Sequence, residues 1–267
     1  MSDKVVELNV SRTGVATVTM NRPDVHNAFD ETLIAELTRV MRSLDDDPAA
    51  RVVVLAAHGK SFSSGADLNW MKRMAHYTEG DNLRDALQLA ELMRTIDRLH
   101  KPTIARVQGH AFGGGVGLVA CCDMAVAAKG ATFSLSEVRL GLIPAVISPY
   151  VVRAIGERSA RRYFLTAERF PAEQAYHLGL VSEVVDPEWL DSSLDALIDQ
   201  LLKGGPKAIG AAKDLIRAVA GRPIETAVVE DTAQRIARTR ASAEGREGIA
   251  AFLEKRTPSW VPPSEGN

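Results

Sequence analysis

Three short segments carry residue types that could act on a substrate. The first is Ser63-Ser64-Gly65-Ala66-Asp67, the second Gly113-Gly114-Gly115, and the third Ser136-Glu137. Each follows an apolar run of the kind that forms a strand. Glycine lets a ligand approach the backbone closely, because no Cβ intervenes. A glycine turn that opens into a helix also leaves backbone N–H groups without partners. Such a turn holds either a phosphate or an oxygen that gains negative charge during a reaction. The dinucleotide pattern G-x-G-x-x-G fails here, since Leu118 stands where the third glycine is needed. No G-x-x-x-x-G-K-[ST] occurs. Two glycine turns aimed at one point, with a carboxylate beside them, outline an oxyanion hole plus a general acid/base.

The elements that must position these segments follow from the apolar pattern. Val5–Val10 and Val15–Met20 read as a hairpin. Asp30 caps a helix with Leu33, Ile34, Leu37, Val40, Met41 and Leu44 on one face. Val52–Ala57 is continuously apolar, as a strand covered on both faces should be. Met71–Thr78 reads as a loop or short helix. A helix over Asn82–Leu99 is expected to bury Leu83, Ala86, Leu87, Ala90, Met93 and Ile96. Thr103–Val107 leads into the glycine triplet, and Met124–Ala128 and Ala131–Leu135 read as two further strands. Two short helices, Val151–Ile155 and Ser159–Thr166, are expected next. After them come a helix at Ala172–Leu178, a strand at Leu180–Val185, and helices from Trp189 to Arg256. Alternating strands and helices give an α/β class with a covered sheet. No repeat of solenoid period is visible. The three prolines in Pro258–Asn267 predict a loosely held tail.

Composition narrows the classes. The 267 residues are 46% hydrophobic and 25% charged, with a net charge of −2. That gives no basic footprint for nucleic acid. The start, Met1-Ser2-Asp3-Lys4, shows no signal or transit pattern, and no apolar run is long enough for a membrane span. Cys121 and Cys122 are adjacent in an apolar helix, which reads as reduced core thiols and a cytoplasmic location. Single, scattered histidines without HExxH or CxxC predict no metal site. Asp67 reads as a helix cap, Asp123 as a residue that packages its turn, and His110 as a satisfied turn histidine. The serines form no G-x-S-x-G elbow.

Several separated motifs, in order, resemble the crotonase (enoyl-CoA hydratase/isomerase) superfamily over nearly the whole chain. They are Asn21-Arg22-Pro23 with Asn27-Ala28, Lys60-Ser61-Phe62-Ser63-Ser64-Gly65-Ala66-Asp67, Gly109-His110-Ala111-Phe112-Gly113-Gly114-Gly115, Cys122-Asp123-Met124, Ser136-Glu137-Val138-Arg139-Leu140-Gly141, and Gly245-Arg246-Glu247-Gly248-Ile249-Ala250-Ala251-Phe252. The resemblance implies a spiral of ββα units over residues 1–200. It also implies a helical C-terminal oligomerisation region over 201–267 that builds a homotrimer or a dimer of trimers. The implied ligand is an acyl-CoA, with no metal or redox cofactor. By motif position the thioester oxygen falls to the N–H groups of Ala66 and Gly114. Ser64, Gly65, Asp67, Gly113 and Gly117 line the ligand, and Phe252 and Lys255 reach CoA from the C-terminal helix. Glu137 is the implied acid/base.

Hydratases of the superfamily carry a second glutamate where this chain has Gly117. Its absence brings a double-bond isomerase, or a non-catalytic acyl-CoA binder, alongside the hydratase reading. A carboxylate introduced as Gly117→Glu is expected to keep or raise hydration if position 117 faces the water. Gly65–Met71 and Ala145–Val152 resemble a bacterial subgroup that hydrates 3-methylglutaconyl-CoA in leucine breakdown. Such a substrate carries a second carboxylate, which Lys72, Arg73 or Arg139 would meet.

Overall fold

The computed structural model describes residues 4–261. The hairpin forms as expected, β1 (Val6–Val10) pairing antiparallel with β2 (Val15–Met20). Helix α1 (Glu31–Asp46) starts at Asp30, whose carboxylate accepts the Leu33 N–H at 2.8 Å. Its six expected core residues are all buried. The chain then turns through β3 (Val52–Ala57), β4 (Ser61–Ser63), α2 (Leu68–Met74) and α3 (Glu79–Arg98). A second turn holds β5 (Thr103–Val107), β6 (His110–Phe112) and α4 (Gly114–Cys121). A third holds β7 (Met124–Ala128), β8 (Thr132–Ser134), a 3-10 turn over Glu137–Leu140, and α5 (Ser148–Thr166). The remainder is β9 (Phe170–Pro171), α6 (Ala172–His177), β10 (Glu183–Val185), α7 (Leu190–Lys203), α8 (Pro206–Val219), α9 (Thr226–Ala241) and α10 (Ala243–Leu253).

Two sheets result. One has the order β1-β2-β3-β5-β7-β10, the other β4-β6-β8-β9. Each turn gives its first strand to the larger sheet and its second to the smaller, so β3, β5 and β7 run parallel, as do β4, β6 and β8. This is the α/β spiral of ββα units. The period-2 alternation of strands explains the unbroken apolar run of β3. Val53 and Leu55 face the main core, while Val52, Val54 and Ala56 face Leu190, Leu194, Ile198 and Leu202 of α7.

Two expectations, the buried face of α3 and the loose tail, are corrected. Only the second half of α3 is buried, at Leu92, Met93, Ile96 and Asp97, while Leu83 and Leu87 are exposed. At 20 residues α3 is longer than the α1 and α4 helices it packs on, so its first half has less to lie against. The two helices expected after Ile147 are both present within α5, separated at Gly156, whose φ of 76° and ψ of 156° are not helical. Met71–Met74 belong to α2, which Asp67 caps. The tail is held as far as it is described. Trp260 donates Nε1–H to the Lys203 carbonyl at 3.0 Å and accepts from Arg51 at 2.7 Å. The other tail positions, 262–267, lie outside the described residues.

Candidate active site

The small sheet brings the three segments together. Strands β4, β6 and β8 are parallel neighbours, with Ser63 opposite Ala111 and Phe112 opposite Ser134. Their carboxyl ends therefore open on one edge, and each end leads into one of the candidate segments.

The first loop is fastened by the stretch before α1. The Phe29 N–H donates to the Gly65 carbonyl at 2.7 Å, and the Asp67 N–H donates to the Phe29 carbonyl at 2.8 Å. In that parallel bridge Ala66 lies between the two bonds, so its own N–H points away from Phe29. Buried Asn27 holds the base of the loop. Its amide donates to the carbonyls of His58 and Ser61 and accepts from the Arg22 N–H. Half-buried Ser64 donates its N–H to the His26 carbonyl at 3.0 Å. Gly65 takes φ +90°, a conformation that L side chains rarely adopt.

The second turn is equally specific. Gly113 has φ 50° and ψ −119° and donates its N–H to the Ser134 carbonyl at 2.9 Å. It is the N-cap of α4, so Gly114 is the first helical residue. The side of Gly114 is closed by Phe29, whose ring would stand 3.0 Å from a Cβ there. A Cβ on Gly113 would stand 3.9 Å from the Gly65 Cα, so the two turns abut. Among the described residues no acceptor is found for the N–H of Ala66 or of Gly114.

Glu137 completes the cluster. Its Oε1 would lie 3.0 Å from a Cβ on Gly113. Its Oε2 is buried without a hydrogen-bond partner among the described residues. Burial pushes the carboxyl above its usual range, partly offset by its own backbone N–H. An unpaired buried carboxyl oxygen costs about 1–3 kcal/mol. A desolvated acid of raised pKa is suited to exchanging protons near neutrality.

The enoyl-CoA hydratase/isomerase family profile matches residues 11–263. The chain belongs to this family. It is 32% identical to the 2,3-dehydroadipyl-CoA hydratase of Escherichia coli, over 95% of this chain and 98% of that protein. It is 31% identical to the crotonyl-CoA hydratase of Syntrophomonas wolfei, over 92% and 94%. The crystal structure of an enoyl-CoA hydratase from Shewanella pealeana superposes with a TM-score of 0.93, at 46% identity over 96% of each chain.

Within this family member, the remaining expected residues separate. Asp67 is occupied as a cap: its Oδ1 accepts the Asn69 and Trp70 N–H groups, and its Oδ2 pairs with Arg22 at 3.4 Å. Burial opposes its charge, but the Trp70 and Asn69 N–H groups and Arg22 outweigh it and hold the carboxyl below the usual range. The cap read from the sequence is thus present. Gly117 sits in an apolar notch. It is buried, and a Cβ there would stand 2.2 Å from Ile147 Cγ2 and 3.2 Å from Met93 Cε. The place of a second glutamate is filled by the apolar side chains of Ile147 and Met93. Phe252 is 82% exposed at the end of α10, and Lys255 follows it, also exposed. Helix α10 packs on α8 and α9, so this chain does not bring either residue to its own Glu137.

Of the three candidate cations, Arg73 is taken by Glu31 through two contacts of 2.6 and 2.9 Å. Lys72 and Arg139 are exposed, and neither forms an ion pair among the described residues. Asp123 accepts from Thr103 and Lys213, and His110 meets Thr132 at 2.8 Å, both as packing residues. Sequence reading missed Phe29 and Ile147 as builders of the site. Their only signal was an apolar residue beside a motif. A cleft of about 630 Å³ lies between α5 and α6, lined by Arg158, Arg162, Tyr163 and Gln174. No carboxylate lines it, and none of the three segments does.

Proposed function

We propose that the protein hydrates an enoyl-CoA thioester, with Glu137 as the single acid/base and the N–H groups of Ala66 and Gly114 as the oxyanion hole. The observation that carries the reading is the half-buried carboxyl of Glu137, its buried Oε2 without a partner among the described residues, set against two abutting turns in which no acceptor is found there for the Ala66 and Gly114 N–H groups. Water adds its oxygen to the β-carbon while one of its protons passes to Glu137. The displaced electron pair collects on the thioester oxygen, where two N–H donors stabilise it by roughly 3 kcal/mol each. The α-carbon then takes a proton from Glu137. The family match and the named activities of the relatives support hydration.

The substrate is a short or branched acyl-CoA of the 3-methylglutaconyl type, and the assembly a trimer or dimer of trimers in the cytoplasm. Exposed Leu140, Leu142 and Ile143 beside Glu137 suit a branched aliphatic group. Unpaired Arg139 in the same turn suits a second carboxylate. Glu137→Gln is expected to abolish most turnover while acyl-CoA binding stays within a few-fold of wild type. Turnover is read as label from heavy-oxygen water in the hydroxyacyl product. Unchanged kcat in that variant removes the role given to Glu137. Arg139→Ala should raise KM for a carboxylated enoyl-CoA and leave that for crotonyl-CoA alone.

The closed notch at Gly117 favours a second reading, a double-bond isomerase, because moving one proton needs only one base. A 3-enoyl-CoA converted to its conjugated isomer without label from solvent water identifies that activity.

A further inference from the structure

Two positions at the start of α4 lack a side chain, and each receives one from the segment after β8. Glu137 lies over Gly113, with Oε1 3.0 Å from the place of a Cβ. One helical turn further on, Ile147 fills the notch at Gly117, its Cγ2 2.2 Å and its Cβ 2.9 Å from the place of a Cβ. Ile147 is 3% exposed and is the N-cap residue of α5, which packs on both α4 and the 3-10 turn of Glu137. Between these two points the segment runs exposed from Arg139 to Ile143, then buries Pro144 and packs Val146 on the core. The Leu142 N–H bonds back to the Glu137 carbonyl at 3.0 Å. Glu137 and Ile147 are the side chains by which it meets the glycine positions of α4, at Gly113 and Gly117.

We propose that Ile147 is the positioning residue for Glu137: its seat in the Gly117 notch fixes the carboxyl-bearing segment to the helix that also presents the Gly114 N–H. This rests on the reading of Glu137 as the acid/base. One helix then serves as the reference for both the oxyanion donor and the proton-transfer group. The β-branch is what fills the notch, since Cγ2 makes the closest approach. Burial, the largest cause of the raised Glu137 carboxyl, depends on where this segment sits. The titratable side chain of α4, Cys121, and those of α5 nearest Ile147, Tyr150 and Arg153, act on one another and on Asp97. Arg139 on the turn itself is exposed, and Asp67 in the facing loop is held by Arg22.

Three variants test this. Gly117→Ala drives a methyl into Ile147. Ile147→Leu keeps the volume and removes the branch. Ile147→Val keeps Cγ2. The first two should lower kcat by about 100-fold with KM little changed, as expected for a reacting group displaced by an ångström. The third should retain activity. In parallel, carbon-13 titration of the free protein should show the Glu137 carboxyl moving down toward its ordinary range in the first two variants only. Its resonance is assigned by its loss in Glu137→Gln. Should Gly117→Ala fail to fold, Ile147→Leu decides the matter. A folded Ile147→Leu protein with wild-type kcat and wild-type Glu137 titration overturns the proposal, whatever its melting temperature. The titration needs no substrate. A wild-type protein inert toward every enoyl-CoA would sink the hydratase reading and leave this test standing.

Discussion

At the scale of single residues, the Glu137 carboxyl combines a burden and a use. It is half-buried, its buried Oε2 has no partner among the described residues, and burial raises its pKa. The native state thus holds this proton more tightly than the unfolded chain does. The stability that this gives is present below the unfolded pKa and is lost as pH rises through the folded one. Glu137→Gln is already neutral and escapes that loss. Its melting temperature relative to wild type should climb between about pH 4 and pH 8, as read by thermal melts at the two values. A difference that shrinks with rising pH would contradict the burial-driven shift. The same shift sets the acid limb of hydration. The base form is required, so kcat/KM should fall as pH drops through a pKa above the ordinary carboxylate value.

At the scale of elements, the loop that carries Ala66 is held by the ion pairs and cap bonds of Arg22 and Asp67. Asp67 caps α2 and pairs with Arg22, while Arg22 also pairs with Asp30 at 2.8 Å, the cap of α1. One guanidinium thereby joins two helix starts on either side of the Ala66 amide. Asp67→Ala should cost about 1–2 kcal/mol, the usual range for an N-cap, measured as a shift in denaturant midpoint. It should also lower kcat, because the Ala66 N–H loses its fixed direction. Stability lost at full kcat would mean that the Phe29 bridge alone aims the amide. Much of this was legible in the sequence. Strands of clear alternation, the α1 face and the order of the three segments were read from apolar period and glycine placement. Asp67 as a cap was legible from its place before a helical pattern. The face of α3 was not, because its heptad-like leucines outrun the helices beneath it, and only packing decides which of them are covered. The notch at Gly117 was invisible for a different reason. Glycine in a sequence does not say what occupies the missing side chain, and Ile147 lies thirty positions on.

For the whole molecule, the spiral explains why a repeating architecture leaves no repeat in the sequence. Successive turns begin at Val52, Thr103 and Met124, so their lengths differ widely, and what recurs is strand placement rather than spacing. The helical end poses its own problem. Helix α9 buries only Val228, whereas Val229, Ala233 and Ile236, which share one face, are exposed. Ile216, Ile249, Phe252 and Leu253 on the flanking helices are exposed as well. A helix with one buried residue gains little from packing, and most helical stability in proteins comes from packing. Apolar patches of this extent mark an interface. The proposed trimer supplies the missing cover with further copies of the chain. Val229→Glu combined with Ile236→Glu places two charges on that face. Light scattering should show the wild type as a trimer or its multiple, and the double variant shifted to smaller species with α9 losing helicity. A wild-type protein that runs as a stable monomer at micromolar concentration would show that α9 holds without a partner. It would also leave Phe252 and Lys255 without any route to a bound CoA, because within one chain α10 lies on α8 and α9, away from the small sheet.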